Sequence, residues 1–165
     1  MSTPYSVLIN QFFKKVEKEQ GFFEYLSLSD SESMDVATER ALGYLNESIG
    51  RIEIECQPSV DFSNRDDTAK VFNFDLTDSE KFIIVSLMFE YHLSRDIAYL
   101  KVQSRDYTST ELRVFDPSNA RSTFMDMYEK VCNQNIALLE EYRNRNRKDG
   151  SFIGIDYSSE NADNK

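Results

Sequence analysis

The stretch Thr77-Asp78-Ser79-Glu80-Lys81-Phe82-Ile83-Ile84-Val85-Ser86-Leu87-Met88-Phe89 decides the fold. Its first four residues make a capping box. The Thr77 hydroxyl and the Glu80 carboxylate can each satisfy a backbone amide that a helix start leaves without an intrahelical partner. The run behind the box is too apolar for a surface helix. Phe82 to Val85, Leu87 to Phe89 and Leu93 leave almost no polar face over the first turns. A helix of that kind, predicted here over 78–103, is central, covered by neighbours or by another subunit. Its apolar run is interrupted by Ser86 and falls far short of the ~20 residues needed to cross a bilayer, so no membrane partner is expected.

Downstream, 104–115 reads as a loop with some strand character at Leu112, Val114 and Phe115. Asp116-Pro117 then opens a second long helix, predicted over 117–148. Phe124, Tyr128, Val131, Leu138 and Tyr142 form its apolar seam, with Leu139 beside them. Asn135 interrupts that seam. It is either a solvated or hydrogen-bonded position, or a polar group that sets the register of helix pairing. Gly150 is placed to cap the helix. Beyond it lies a tail, 151–165, in two parts. Phe152, Ile153, Ile155 and Tyr157 are apolar or aromatic, and the residues from Ser158 are polar and expected to be mobile.

Upstream, Ser2-Thr3-Pro4 opens a first helix carrying Tyr5, Leu8, Ile9, Phe12, Phe13 and Val16 at helical spacing. Gly21 breaks it, and Phe22, Phe23, Tyr25, Leu26 and Leu28 come next as a short helix or packed connector. A further helix should begin near 29–33 and run to about Gly50. Ile52 and Ile54 alternate with Glu53 and Glu55, which reads as a short strand ended by Pro58. The polar stretch 60–75, with Phe62, Val71, Phe72 and Phe74 spaced through it, reads as an extended loop or irregular hairpin outside the core.

The expected architecture is therefore mainly α. A single helical domain spans 1–150, with two long central helices, an extended loop or short hairpin around 52–75, and the tail 151–165. The 165 residues suffice for one real core, and 40% hydrophobic and 13% aromatic residues mark a globular chain. A net charge of −10 argues against attraction to nucleic acid. It suits a surface that DNA must pass without sticking, and it equally suits plain solubility.

Catalytic machinery is not legible. Cys56 and Cys132 have no CxxC partner and read as free thiols. His92 is the lone histidine, with Asp96 one turn on, and zinc sites need three or four ligands. No P-loop, GxGxxG, HExxH or GxSxG is present, and neither an enzymatic role nor a cofactor nor a metal is expected. The Asp66-Asp67 pair lacks calcium-loop spacing. The one positive cluster, Arg143, Arg145, Arg147 and Lys148, falls in the last turns of the final helix. There cations complement the helix dipole, or they contact an acidic partner surface or passing DNA.

The segments Phe72 to Ile97 (FNFDLTDSEKFIIVSLMFEYHLSRDI) and Tyr107 to Val131 (YTSTELRVFDPSNARSTFMDMYEKV) resemble head–tail connector proteins of tailed bacteriophages. The likeness is one of layout over about 33–150. A Ser63-Asn64-Arg65-Asp66-Asp67 loop precedes Asp75-Leu76-Thr77-Asp78 at a helix start. A very apolar helix, a polar link and a long amphipathic helix complete the layout. The resemblance implies a virion protein of the neck, assembled in the bacterial cytoplasm. Subunits form a ring, typically dodecameric, between the portal protein and the next neck or tail protein. The ring extends the DNA channel and does not bind the passing DNA specifically. It also implies loops and tails that reach neighbours, here the Phe62, Phe72 and Phe74 loop and the tail Phe152, Ile153, Ile155 and Tyr157. The extra N-terminal helix and acidic tail depart from the smallest members and leave another neck component open, such as a tail-completion protein. The alternative class of function is an acidic helical binding module that blocks a basic protein partner.

Overall fold

The computed structural model describes residues 2–17, 20–23, 28–106 and 117–153. It is mainly helical, as expected, with a small sheet. The helices are α1 (Tyr5–Val16), α2 (Gln20–Phe23), α3 (Asp30–Cys56), α4 (Asp78–Asp106) and α5 (Pro117–Arg143). The strands are β1 (Thr3–Pro4), β2 (Arg65–Asp66) and β3 (Val71–Phe72), in the order β1-β3-β2.

The capping box that opens α4 forms as its sequence dictates. Thr77 N donates to Glu80 Oε2 at 2.7 Å, and Glu80 N donates to Thr77 Oγ1 at 3.2 Å. The helix is central: α3, α5 and α1 all pack on it. Ile83 to Met88 are buried without a break, so neighbours of the same chain cover nearly every face. A second capping box, between Ser29 and Glu32, opens α3.

Three expectations need correction. Ile52 and Ile54 are not in a strand, because α3 runs through them to Cys56. Ile52 and Cys56, four apart, share the buried face, Ile54 points outward, and Arg51 pairs with Glu55 one turn on at 2.8 Å. The helix stops where Pro58 bars its predecessor from helical geometry: Gln57 takes a left-handed conformation, φ 45°.

The second correction concerns 60–75. Phe62 and Phe72 are fully buried, and with Phe74 they form a triangle of rings 5.5–6.3 Å apart. Strand pairing holds the loop in place. Thr3 lies opposite Phe72 in β1-β3, and Arg65 lies opposite Phe72 in β2-β3. Tyr5 adds a hydrogen bond to Asp67 at 2.7 Å and a ring contact with Phe72 at 5.0 Å. The start of the chain is thus a strand before it is a helix.

Thirdly, α5 ends at Arg143 rather than at 148, and Gly150 does not cap it. Short side chains downstream bond their own backbone instead of continuing the helix. Asn146 Oδ1 accepts from Lys148 N, and Asp149 Oδ1 accepts from Ser151 N. The chain folds back as a hairpin over 144–153, in which Asn146 N donates to Ser151 O, Ile153 N donates to Asn144 O, and Arg145 pairs with Phe152. Gly150, φ 69°, takes the left-handed position this turn needs.

Asn135 is buried and is the polar joint between helices. Its amide donates to Glu90 Oε2 at 2.7 Å and to Ser86 O at 3.1 Å, while Ser86 Oγ donates to its Oδ1 at 2.7 Å. Glu90 also accepts from Arg51 at 2.8 Å, so one network joins α3, α4 and α5. The sequence positions Leu112, Val114 and Phe115, and the tail from Gly154 onward, lie outside the described residues.

Candidate protein-docking surface

Three elements converge at one end of the bundle: the end of α3, the start of α4 and the end of α5. The 144–153 hairpin folds over them. It stands between two clefts that share Tyr142, Arg145, Asn146 and Arg147. The larger, about 670 Å³, is lined among others by Thr77, Phe82, Leu138 and Glu141. The smaller, about 330 Å³, is lined by Cys56, Pro58, Arg143 and Ile153 besides the shared residues.

The hairpin is fixed by its arginines. Arg147 bonds the buried Glu80 carboxylate through Nε at 2.6 Å and Nη2 at 3.1 Å, and also reaches the Asp75 carbonyl. Tyr142 donates to the same carboxylate at 2.8 Å. Burial, and then this bond, push the Tyr142 phenol well above its ordinary range, and the Glu80 hydrogen bond raises Arg147 further. Arg145 pairs with Glu141 at 2.7 Å, donates to Gly150 O at 2.9 Å and lies 4.3 Å over the Phe152 ring. Arg143 and Lys148 are exposed and make no ion pair among the described residues. The four cations are therefore not one patch: two hold the hairpin and two are exposed.

The apolar candidates also divide. Phe62 and Phe72 belong to the core and cannot meet a partner without unfolding, and Phe74 is half-buried against them. Phe152 and Ile153 are exposed, 69% and 61%. Ile155 and Tyr157 lie outside the described residues. Sequence patterning does not single out Phe82, yet it sits in the larger cleft, 60% exposed, directly before the buried run Ile83 to Met88. A signal for it does exist. A helix apolar on every side needs cover on every side, and one face of its first turn is left in water. Ile54, 80% exposed, lies two residues before Cys56.

The chemistry available here is that of contact. Among the described residues, no group of three or more His, Cys, Asp or Glu is placed to hold a metal ion. His92 is buried among Phe12, Phe22, Tyr44 and Phe89, with ring centroids 5.3–6.3 Å away and Asp96 at 3.5 Å. Burial raises the thiols of Cys56 and Cys132 above their usual value, which disfavours the nucleophilic thiolate. No described helix is long and apolar enough to cross a membrane. Comparison of the chain with family models, with curated proteins and with solved structures finds no match.

Proposed function

We propose that this chain is a structural subunit that assembles as a ring in the neck of a tailed bacteriophage, joining the capsid portal to the tail and extending the DNA channel. It acts by protein contact, without catalysis and without a cofactor. The observation that carries the proposal is the grouping of exposed Phe82, Phe152 and Ile153 around one hairpin at one end of the bundle. Fully burying each such side chain is worth roughly 1.5–3 kcal/mol, so a neighbour seated on this end gains what the lone subunit leaves in water. Contacts of head-to-tail type close into rings when the rotation allows. The net charge of −10 favours a channel lining that does not retain DNA.

The test is native mass measurement and electron microscopy of the purified chain, alone and with the portal protein of the same particle. Closed rings, or a ring formed on the portal, are expected. A subunit that stays monomeric at every concentration and ignores the portal would sink the proposal. A one-to-one complex with a basic protein would favour an inhibitory module instead.

A further inference from the structure

We propose that the smaller cleft, between the end of α3 and the 144–153 hairpin, docks a short extended segment of a different protein that carries carboxylates, with Arg143 reading its charge. This deepens the docking-surface reading and rests on it. Three guanidinium groups line the cleft, Arg143, Arg145 and Arg147, and among the described residues no carboxylate does, in a chain of net charge −10. Arg145 and Arg147 already face Glu141 and Glu80. Arg143 is left over, exposed and without an ion pair among the described residues. At Cys56, which lines the cleft, burial and the Glu55 carboxylate raise the thiol, and the charges of Arg143 and Arg51 oppose them.

A guanidinium offers a planar fork that a carboxylate matches with two parallel hydrogen bonds. Beside it, Pro58 and the exposed Ile153 give an apolar floor for a neighbouring side chain. At about 330 Å³ the space admits a short segment, not a folded domain. Charge complementarity therefore selects an acidic strand with an apolar residue between its carboxylates, and it disfavours nucleic acid, which this acidic chain repels at longer range.

The experiment titrates the full chain against a fluorescent Asp-Glu-Phe-Glu-Asp peptide with blocked ends, followed by anisotropy. Its uncharged counterpart, Asn-Gln-Phe-Gln-Asn, is the control. The acidic peptide alone should bind. Its affinity should fall several-fold in high salt and roughly tenfold with Arg143→Gln. Arg143 has no ion pair to lose among the described residues, so that variant should melt with the parent chain, and Arg143→Lys should restore part of the binding. Equal binding of both peptides, or binding indifferent to Arg143→Gln, overturns the proposal. If the acidic peptide binds only after Asp156→Asn, Glu160→Gln and Asp163→Asn, the cleft serves the chain's own tail and the proposal fails. It fails also if the peptide acts only by dissociating the chain's own oligomer, because the occupant is then a second copy. Rings without peptide binding overturn this inference alone, and peptide binding without rings overturns the ring reading alone.

Discussion

Arg147 and Glu80 form an ion pair across 67 residues of sequence, Nε to Oε1 at 2.6 Å, and it ties the 144–153 hairpin to the first turn of the central helix. Glu80 thus has two tasks. It caps α4 through Thr77 N, and it anchors the element that divides the two clefts. Arg147→Gln removes the charge opposite a carboxylate that stays buried. The expected loss is about 1–3 kcal/mol, below the cost of breaking a fully buried pair because Arg147 is partly in water. Amide exchange at 144–153 should quicken more than exchange in α4. An unchanged urea midpoint together with an unchanged exchange pattern would refute the anchoring role.

The burial of Tyr142 against the same carboxylate makes stability fall in alkali. The Tyr142 phenol is raised above its ordinary 10.0, first by burial and then by its bond to Glu80. A group with a raised folded value contributes stability that is complete below the unfolded value. That contribution is lost as pH climbs from about 10 toward the folded value. Unfolding free energy should therefore decline above about pH 10, and Tyr142→Phe should flatten the decline. Tyr5, raised by burial and by Asp67, contributes a decline of the same sign that Tyr5→Phe removes separately. A Tyr142→Phe profile that runs parallel to the parent chain would show that this phenol does not carry the effect.

Asn135 predicts a cost that a surface residue would not have. Asn135→Leu offers a similar volume but withdraws the partners of Ser86 and Glu90 in a buried place. A loss of about 2–4 kcal/mol is expected. The Arg51→Met change acts on the same Glu90, so the double variant should lose less than the sum of the two single variants. Strict additivity in chemical denaturation would show that the three helices are not joined through this network.

How far the sequence can be read depends on how local each signal is. The capping box at Thr77-Glu80 and the apolar run behind it are local, and α4 results from them. Ile52-Glu53-Ile54-Glu55 misleads, because four residues fit both periods, and what decides is Cys56 one turn beyond Ile52 meeting the core. Phe62 and Phe72 are hidden for the opposite reason. Phe72 is covered by Thr3 and Tyr5, more than 60 residues away, Phe62 packs on Phe72 in turn, and no local pattern encodes that pairing. At the docking surface, Phe152 and Ile153 are legible as apolar residues past the helix. The division of the four cations is not, because it rests on Glu80 and Glu141.

The clearest separation of fold from function comes from comparing the phenylalanines. Phe62→Ala and Phe72→Ala each empty a site with no access to water, and each should cost about 3–5 kcal/mol. Phe82→Ser and Phe152→Ser remove rings that are mostly in water already. Each should change the melting behaviour of the isolated chain little, by about 1 kcal/mol or less, and Phe152→Ser the more of the two because Arg145 loses its stacking partner. Assembly should respond in the opposite order. If the bundle end is the contact surface, the combined Phe82→Ser and Phe152→Ser variant keeps its fold by circular dichroism yet loses its place in the ring or on the portal. Were that variant to assemble like the parent chain, the exposed rings would be mere surface and the contact would have to lie elsewhere.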